Sequence, residues 1–210
     1  MLTFNGDRKL KADMVAEMRA HQKADAFIKG SYVRQNGEFK GCAVGCAVQS
    51  LNKRRGLKIA HDDHAGLAEA LHVPEWLWRL QDILFENLPE PENSEFAVKF
   101  IEAIPVGVDL DPVKRKFCAF ILKENIERVL LLKIDDKLKE QVVDSIRAVL
   151  NLHEKAAETG EWNESAAGSA AESAAWSAWS AAESAAYQRY AKELMRLLKA
   201  SKKVREGGGA

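Results

Sequence analysis

The sequence predicts a mainly α fold: a single helical domain with one small β-hairpin and a long Ala-rich C-terminal helix. Three observations predict it. Apolar residues recur every three to four positions through successive segments, the period of a helix with one buried face. Asn36-Gly37 is the one strong hairpin signal, because both residues tolerate the positive φ of a type I′ turn. Residues 164–190 read ESAAGSAAESAAWSAWSAAESAAYQRY, and alanine is the strongest helix former. The expected organisation is a helical domain over 1–158 with its hairpin near 31–40, a long Ala/Ser-rich helix over 159–202 packed on it, and a flexible tail at 203–210. Five to seven helices are expected.

The first helix is expected from Asp7 to Ile28, with Leu10, Met14, Met18 and His21 in one stripe and Gly30 stopping it. Tyr32, Val33 and Phe39 flank the hairpin turn. GCAVGCAVQSL, residues 41–51, is small and apolar and reads as a short buried helix, followed by a basic loop, NKRRG. Asp62 or Asp63 is placed to cap a helix through Leu71, and Pro74 suits the first turn of the next. In PEWLWRLQDILFENL the stripe Leu77, Leu80, Leu84 and Leu88 faces the core, with Glu75, Arg79, Asp82 and Glu86 opposite. Asn93 or Ser94 opens a helix that turns Phe96, Phe100, Ile101 and Ile104 inward, and Pro105 and Gly107 break it. Asp111-Pro112 pairs a capping residue with a favoured first-turn proline. IERVLLLKI fits either a short helix or a strand. Asp135 or Asp136 then opens a helix carrying Leu138, Val142, Ile146, Val149 and Leu150 on one face, and Thr159-Gly160 marks a hinge.

The alanine segment and its continuation to residue 199 amount to about 35 helical residues, roughly 50 Å at the α-helical rise. Trp176, Trp179, Tyr187 and Tyr190 then fall on one side within about 60° of one another, with Leu194, Leu197 and Leu198 beside them. The far side is nearly all alanine. The aromatic face is expected to pack on the chain's own core, or to dock a second copy or another protein. Trp176, Trp179, Tyr187 and Tyr190 are the candidate interaction residues.

Composition narrows the function classes. Lys plus Arg and Asp plus Glu both number 31, so no basic surplus matches a nucleic-acid backbone, and nucleic acid is not an expected partner. The clusters at Lys53-Arg54-Arg55, Lys114-Arg115-Lys116 and Lys202-Lys203 are short enough to be solvated faces. No apolar run reaches the roughly 20 residues of a membrane span, so no membrane role is expected. The charged N-terminal stretch lacks the core of a signal peptide, and three cysteines fit a reducing compartment. The expected location is cytoplasmic.

Two constellations offer chemistry. Cys42-x3-Cys46 followed by His61-x2-His64 supplies two thiols and two imidazoles, a tetrahedral zinc donor set at near zinc-finger spacing. Against it, small apolar neighbours suit buried, inert cysteines. Alternatively Cys42, after a glycine and at a helix start, is a nucleophile candidate, with His61 or His64 as base and Asp62 or Asp63 to orient it. Asp82 and Glu86 stand one turn apart, and with Arg79 three residues earlier they read as a surface ion-pair network. A Gly-rich phosphate loop, G-x-S-x-G and H-E-x-x-H are all missing. No cofactor is expected.

KGCAVGC, VPEWLWRLQDILFENLP and AIPVGVDLDPV, in that order and followed by the Ala/Ser/Trp helix, resemble a family of hypothetical proteins of tailed phages, prophages and related bacterial genomes. The resemblance covers roughly residues 20–200. It implies an accessory protein of a mobile element, open to contact with a host factor or defence system, and assigns no catalytic residue. The expected function is therefore non-enzymatic protein–protein interaction, with self-association included. The alternative is a cysteine- or zinc-dependent enzyme centred on Cys42 and the His61/His64 loop.

Overall fold

The computed structural model describes residues 1–36, 38–162 and 184–201. Among them it is mainly α, with eight α-helices, a 3-10 turn and one two-stranded hairpin. The chain divides into two units, Met1–Leu110 with Tyr187–Ala210, and Asp111–Ala186. The sequence places its boundary at 158 instead. The division at Asp111 follows from where partners lie: the two helices after it pack on each other, while the C-terminal helix buries its apolar face in the first unit.

In the first unit, the turn Thr3–Gly6 buries Phe4 and is tied down by Thr3, whose hydroxyl donates to the Pro105 carbonyl over 2.6 Å. Helix α1, Arg8–Lys23, starts because the Asp7 carboxylate accepts from the Lys9 and Leu10 N–H groups, and it buries Leu10, Met14 and Met18. It stops short of Ile28. Asp25 takes a left-handed φ of 50°, and the chain then runs extended beside Gly41, with Ile28 N–H donating to its carbonyl over 2.9 Å. Strands β1, Arg34–Asn36, and β2, Glu38–Lys40, pair with Asn36 opposite Glu38. Asn36 is thus a strand residue instead of a turn residue.

Helix α2, Ala43–Arg55, is almost wholly buried to Leu51. It continues through Lys53-Arg54-Arg55, where a loop is expected, because Arg54 pairs with Asp13 and Glu17 of α1 and Gly56 supplies the left-handed stop. Helix α3, His64–Leu71, is capped by the Asp63 carboxylate accepting from Gly66 N–H over 2.8 Å. Helices α4, Glu75–Asn87, and α5, Glu92–Ala103, bury Leu77, Leu80 and Leu84, and Phe96, Phe100 and Ile101.

The second unit is a helical hairpin of α6, Asp111–Leu131, and α7, Asp136–Thr159. IERVLLLKI therefore opens as the end of a helix and closes as a turn. Ala119, Leu122 and Leu150 form its core with Ile126, Ile146 and Val149, and Lys123 pairs with Glu154 over 2.6 Å. The Arg115 guanidinium lies 3.6 Å over the Trp162 ring, a cation–π contact. Helix α8 spans Ser184–Ala200, the C-terminal end of the span expected to form one long helix. The smooth alanine face, Trp176 and Trp179 lie outside the described residues.

Candidate functional site

Five polar side chains from different segments of the first unit converge beside the start of α2. Cys42 is the residue before that helix, and its sulfur accepts from Gly45 N–H over 3.4 Å. Asp82 and Glu86 come from α4, His64 from the first turn of α3, and Tyr32 from the stretch before the hairpin. The Tyr32 hydroxyl donates to Asp82 Oδ2 over 2.8 Å. His64 Nε2 stands 3.3 Å from that same oxygen, while Gly30 N–H donates to Glu86 Oε2 over 2.8 Å. Cys42 Sγ and one oxygen each of Asp82 and Glu86 all lie within 4.8 Å of one another.

Two glycines make this convergence possible. A Cβ on Gly45 would stand 1.7 Å from the Tyr32 carbonyl oxygen, and one on Gly41 would stand 2.4 Å from it. The GCAVG stretch is small because the Tyr32 backbone lies directly on it, which brings the tyrosine ring edge-on to His64 at 5.8 Å.

Burial governs the charges here. The Cys42 thiol is 1% exposed, and burial followed by the Asp82 carboxylate pushes its pKa well above the ordinary thiol range. Backbone N–H groups at the helix start pull the other way and are outweighed. This corrects the expectation of a thiol activated by its helix terminus: without a cation, Cys42 stays protonated. Burial also raises the Tyr32 and Glu86 pKa values, for Glu86 against the Gly30 hydrogen bond.

The sequence-derived zinc set is only partly brought together. His64 joins Cys42 through Asp82. Cys46 turns away, its thiol donating to the Gly41 and Ala26 carbonyls, and burial pushes its pKa up to about 12. His61 pairs instead with Gln49 Oε1 over 3.1 Å and lies beside the Phe39 ring. Asp62 orients His64 through its backbone carbonyl, not its carboxylate, and Asp63 serves as a helix cap. Among the described residues, the potential metal-ligand group of three or more is Cys42, Asp82 and Glu86.

Asp82 and Glu86 are therefore no surface ion-pair network. Arg79 pairs with Glu75 over 2.6 Å, and the half-buried Asp82 and Glu86 accept from Tyr32 and Gly30 instead. Tyr32, Asp82 and Glu86 were the residues that sequence reasoning missed as site members. The available signal was the Gly41/Gly45 spacing, which marks close approach of another backbone, set against a polar helix face short of lysine partners.

The candidate interaction residues divide. Tyr187 and Tyr190 are buried, Tyr190 completely, so this part of the stripe serves the first unit's core and is not an exposed contact. Trp176 and Trp179 lie outside the described residues. Of the eight exposed large apolar side chains among the described residues, five gather at the turn between α6 and α7: Leu130, Leu131, Leu132, Ile134 and Leu138, the others being Met1, Leu2 and Leu57. Among the described residues no helix is long and apolar enough to cross a membrane.

Comparison with protein-family models, with curated proteins and with solved structures finds no significant match to this chain.

Proposed function

We propose that the chain acts by protein–protein contact, and that the contact surface is the free end of the α6–α7 hairpin, taken up by a second copy of the chain. The observation that supports this is the exposure of the turn: Leu131 is 83% exposed, with four more large aliphatic side chains exposed beside it. Soluble monomers rarely leave such groups contiguous on the surface. Each leucine transferred from water into an interface contributes about 1.5–3 kcal/mol.

The charges around the turn favour a copy of the same surface. Lys133, Lys137 and Lys139 are interspersed with Asp135, Asp136 and Glu140, three cations against three anions. A balanced rim gives no advantage to a strongly charged partner. It is self-complementary under two-fold symmetry, where lysine of one copy meets aspartate of the other. The turn is small beside the roughly 1,200 Å² or more of a stable interface, so the association is reversible and concentration-dependent. The resemblance to phage and prophage proteins supports an accessory role in a mobile element. The odd count of three cysteines favours a reducing compartment.

Sedimentation velocity over a dilution series tests the reading. The wild-type chain is expected to move from dimer toward monomer on dilution, while Leu131→Glu with Leu138→Glu stays monomeric and helical. A wild type that is monomeric at every concentration, or a double variant that associates like wild type, contradicts it.

A further inference from the structure

The imidazole of His64 carries the argument. Its Nδ1 lies 3.0 Å from the Asp62 carbonyl oxygen, and a carbonyl only accepts, so Nδ1 bears the hydrogen. In the neutral ring Nε2 is then a bare lone pair, facing Asp82 Oδ2 at 3.3 Å. Two lone-pair atoms so placed repel each other unless positive charge stands between or beside them. His64 is 6% exposed, and its Nε2 has no hydrogen-bond partner. A buried ring nitrogen thus points at a carboxylate that belongs to a cluster of metal-ligating groups, Cys42, Asp82 and Glu86.

We propose that Cys42 Sγ, His64 Nε2 and the carboxylates of Asp82 and Glu86 form a binding site for one divalent cation of the zinc class. The donor types select the class. A thiolate and an imidazole beside carboxylates suit zinc and its neighbours, whereas magnesium and calcium take oxygen shells. Zinc bonds of about 2.0–2.3 Å put tetrahedral donors roughly 3.3–3.7 Å apart. Sulfur and one oxygen of each carboxylate already lie within 4.8 Å of one another, and His64 Nε2, outside that group, adjoins it through Asp82 Oδ2 at 3.3 Å.

The surroundings have the form of an outer shell that fixes ligands. The Asp62 carbonyl sets the His64 tautomer, the Tyr32 hydroxyl holds Asp82, and Gly30 N–H holds Glu86. Binding breaks the Cys42 S–H bond, releases that proton to solvent and forms a sulfur–metal bond, with no change of oxidation state. Cys46 and His61 have no part in the site.

The test uses the full chain, reduced and stripped with a chelator, titrated with Zn2+ against a chromophoric competitor and separately with Co2+. The wild type is expected to bind one equivalent of each, with a thiolate-to-cobalt charge-transfer band, and to ignore excess Mg2+. Asp82→Asn and Glu86→Gln keep side-chain shape and are expected to weaken zinc binding by at least about 10–100-fold, the loss seen when even a supporting partner is removed. Glu95→Gln, at an exposed position of α5, is expected to bind as wild type. Cys42→Ser abolishes the cobalt band, while Cys46→Ser and Cys118→Ser keep it. Circular dichroism confirms the fold of each variant, and the near-isosteric carboxylate variants decide the matter if Cys42→Ser unfolds. Absence of stoichiometric zinc binding in the wild type overturns the proposal. So does zinc affinity unchanged in both folded carboxylate variants, or a cobalt band that survives Cys42→Ser.

Discussion

Gly45 and the Tyr32 carbonyl oxygen are in contact so close that a Cβ on Gly45 would lie 1.7 Å from that oxygen. The clash would be with backbone, which cannot swing aside as a side chain does. Gly45→Ala is therefore expected to destabilise the first unit by about 1–3 kcal/mol or more, the range for overpacking a tight core. Gly45→Ala and wild type compared by urea unfolding measure this. Equal midpoints would show that the Tyr32 segment does not rest on α2 as described.

The Tyr32–Asp82 hydrogen bond is charge-assisted and partly buried. Tyr32→Phe leaves Asp82 one donor short and is expected to cost about 1.5–3 kcal/mol. In a double-mutant cycle with Asp82→Asn the two changes are expected to couple by about 0.5–3 kcal/mol. Strictly additive changes would mean that the pair does not interact in solution.

Burial acts in opposite senses on two titrating groups of the metal-free chain. Glu86 has its pKa raised from 4.5 in the fold, so the folded state holds its proton longer. Its contribution to stability is fully present below 4.5 and is lost as pH rises through the folded value. His21, hydrogen-bonded to Ser50 over 2.8 Å, has its pKa lowered from 6.5 by burial. Its contribution is present above 6.5 and is lost as pH falls through the folded value. Glu86→Gln is expected to flatten the decline in stability above pH 4.5, and His21→Gln the decline below pH 6.5. Unfolding free energies measured across that range check both, and slopes identical to wild type would refute the assignment.

The C-terminal helix belongs to the first unit and buries Tyr190, Leu194 and Leu198 completely. Leu194→Ala is expected to cost about 2–5 kcal/mol, transfer and cavity terms together. Hydrogen exchange should show the loss in α1–α5 as well as in α8. Faster exchange confined to α8 would indicate a helix that only lies on the surface.

Local rules made most of the fold legible. Asp7, Asp63 and Asp135 announce helix starts, and each caps as its chemistry requires. The stripes Leu10–Met14–Met18 and Leu77–Leu80–Leu84 identify inward faces. Lys53-Arg54-Arg55 misleads because its helix is completed by Asp13 and Glu17 of another helix. The two-unit division is illegible for a similar reason: periodicity shows that α7 has a buried face, not which neighbour covers it. The site suffers most. Helical spacing puts Asp82 and Glu86 opposite the leucines, and polar residues there read as solvated. They are covered by Tyr32 and Cys42, 50 and 40 residues before Asp82, and nothing local to α4 records that cover.

Hydrogen exchange of the wild-type chain at low and high protein concentration tests the central claim, contact through the hairpin end, most directly. The account predicts that amides between Leu130 and Leu138 gain protection as concentration rises, while α1–α5 exchange unchanged. It also predicts that Leu131→Glu with Leu138→Glu abolishes the gain. Protection at 130–138 that is independent of concentration, or a concentration-dependent gain located elsewhere, would contradict it.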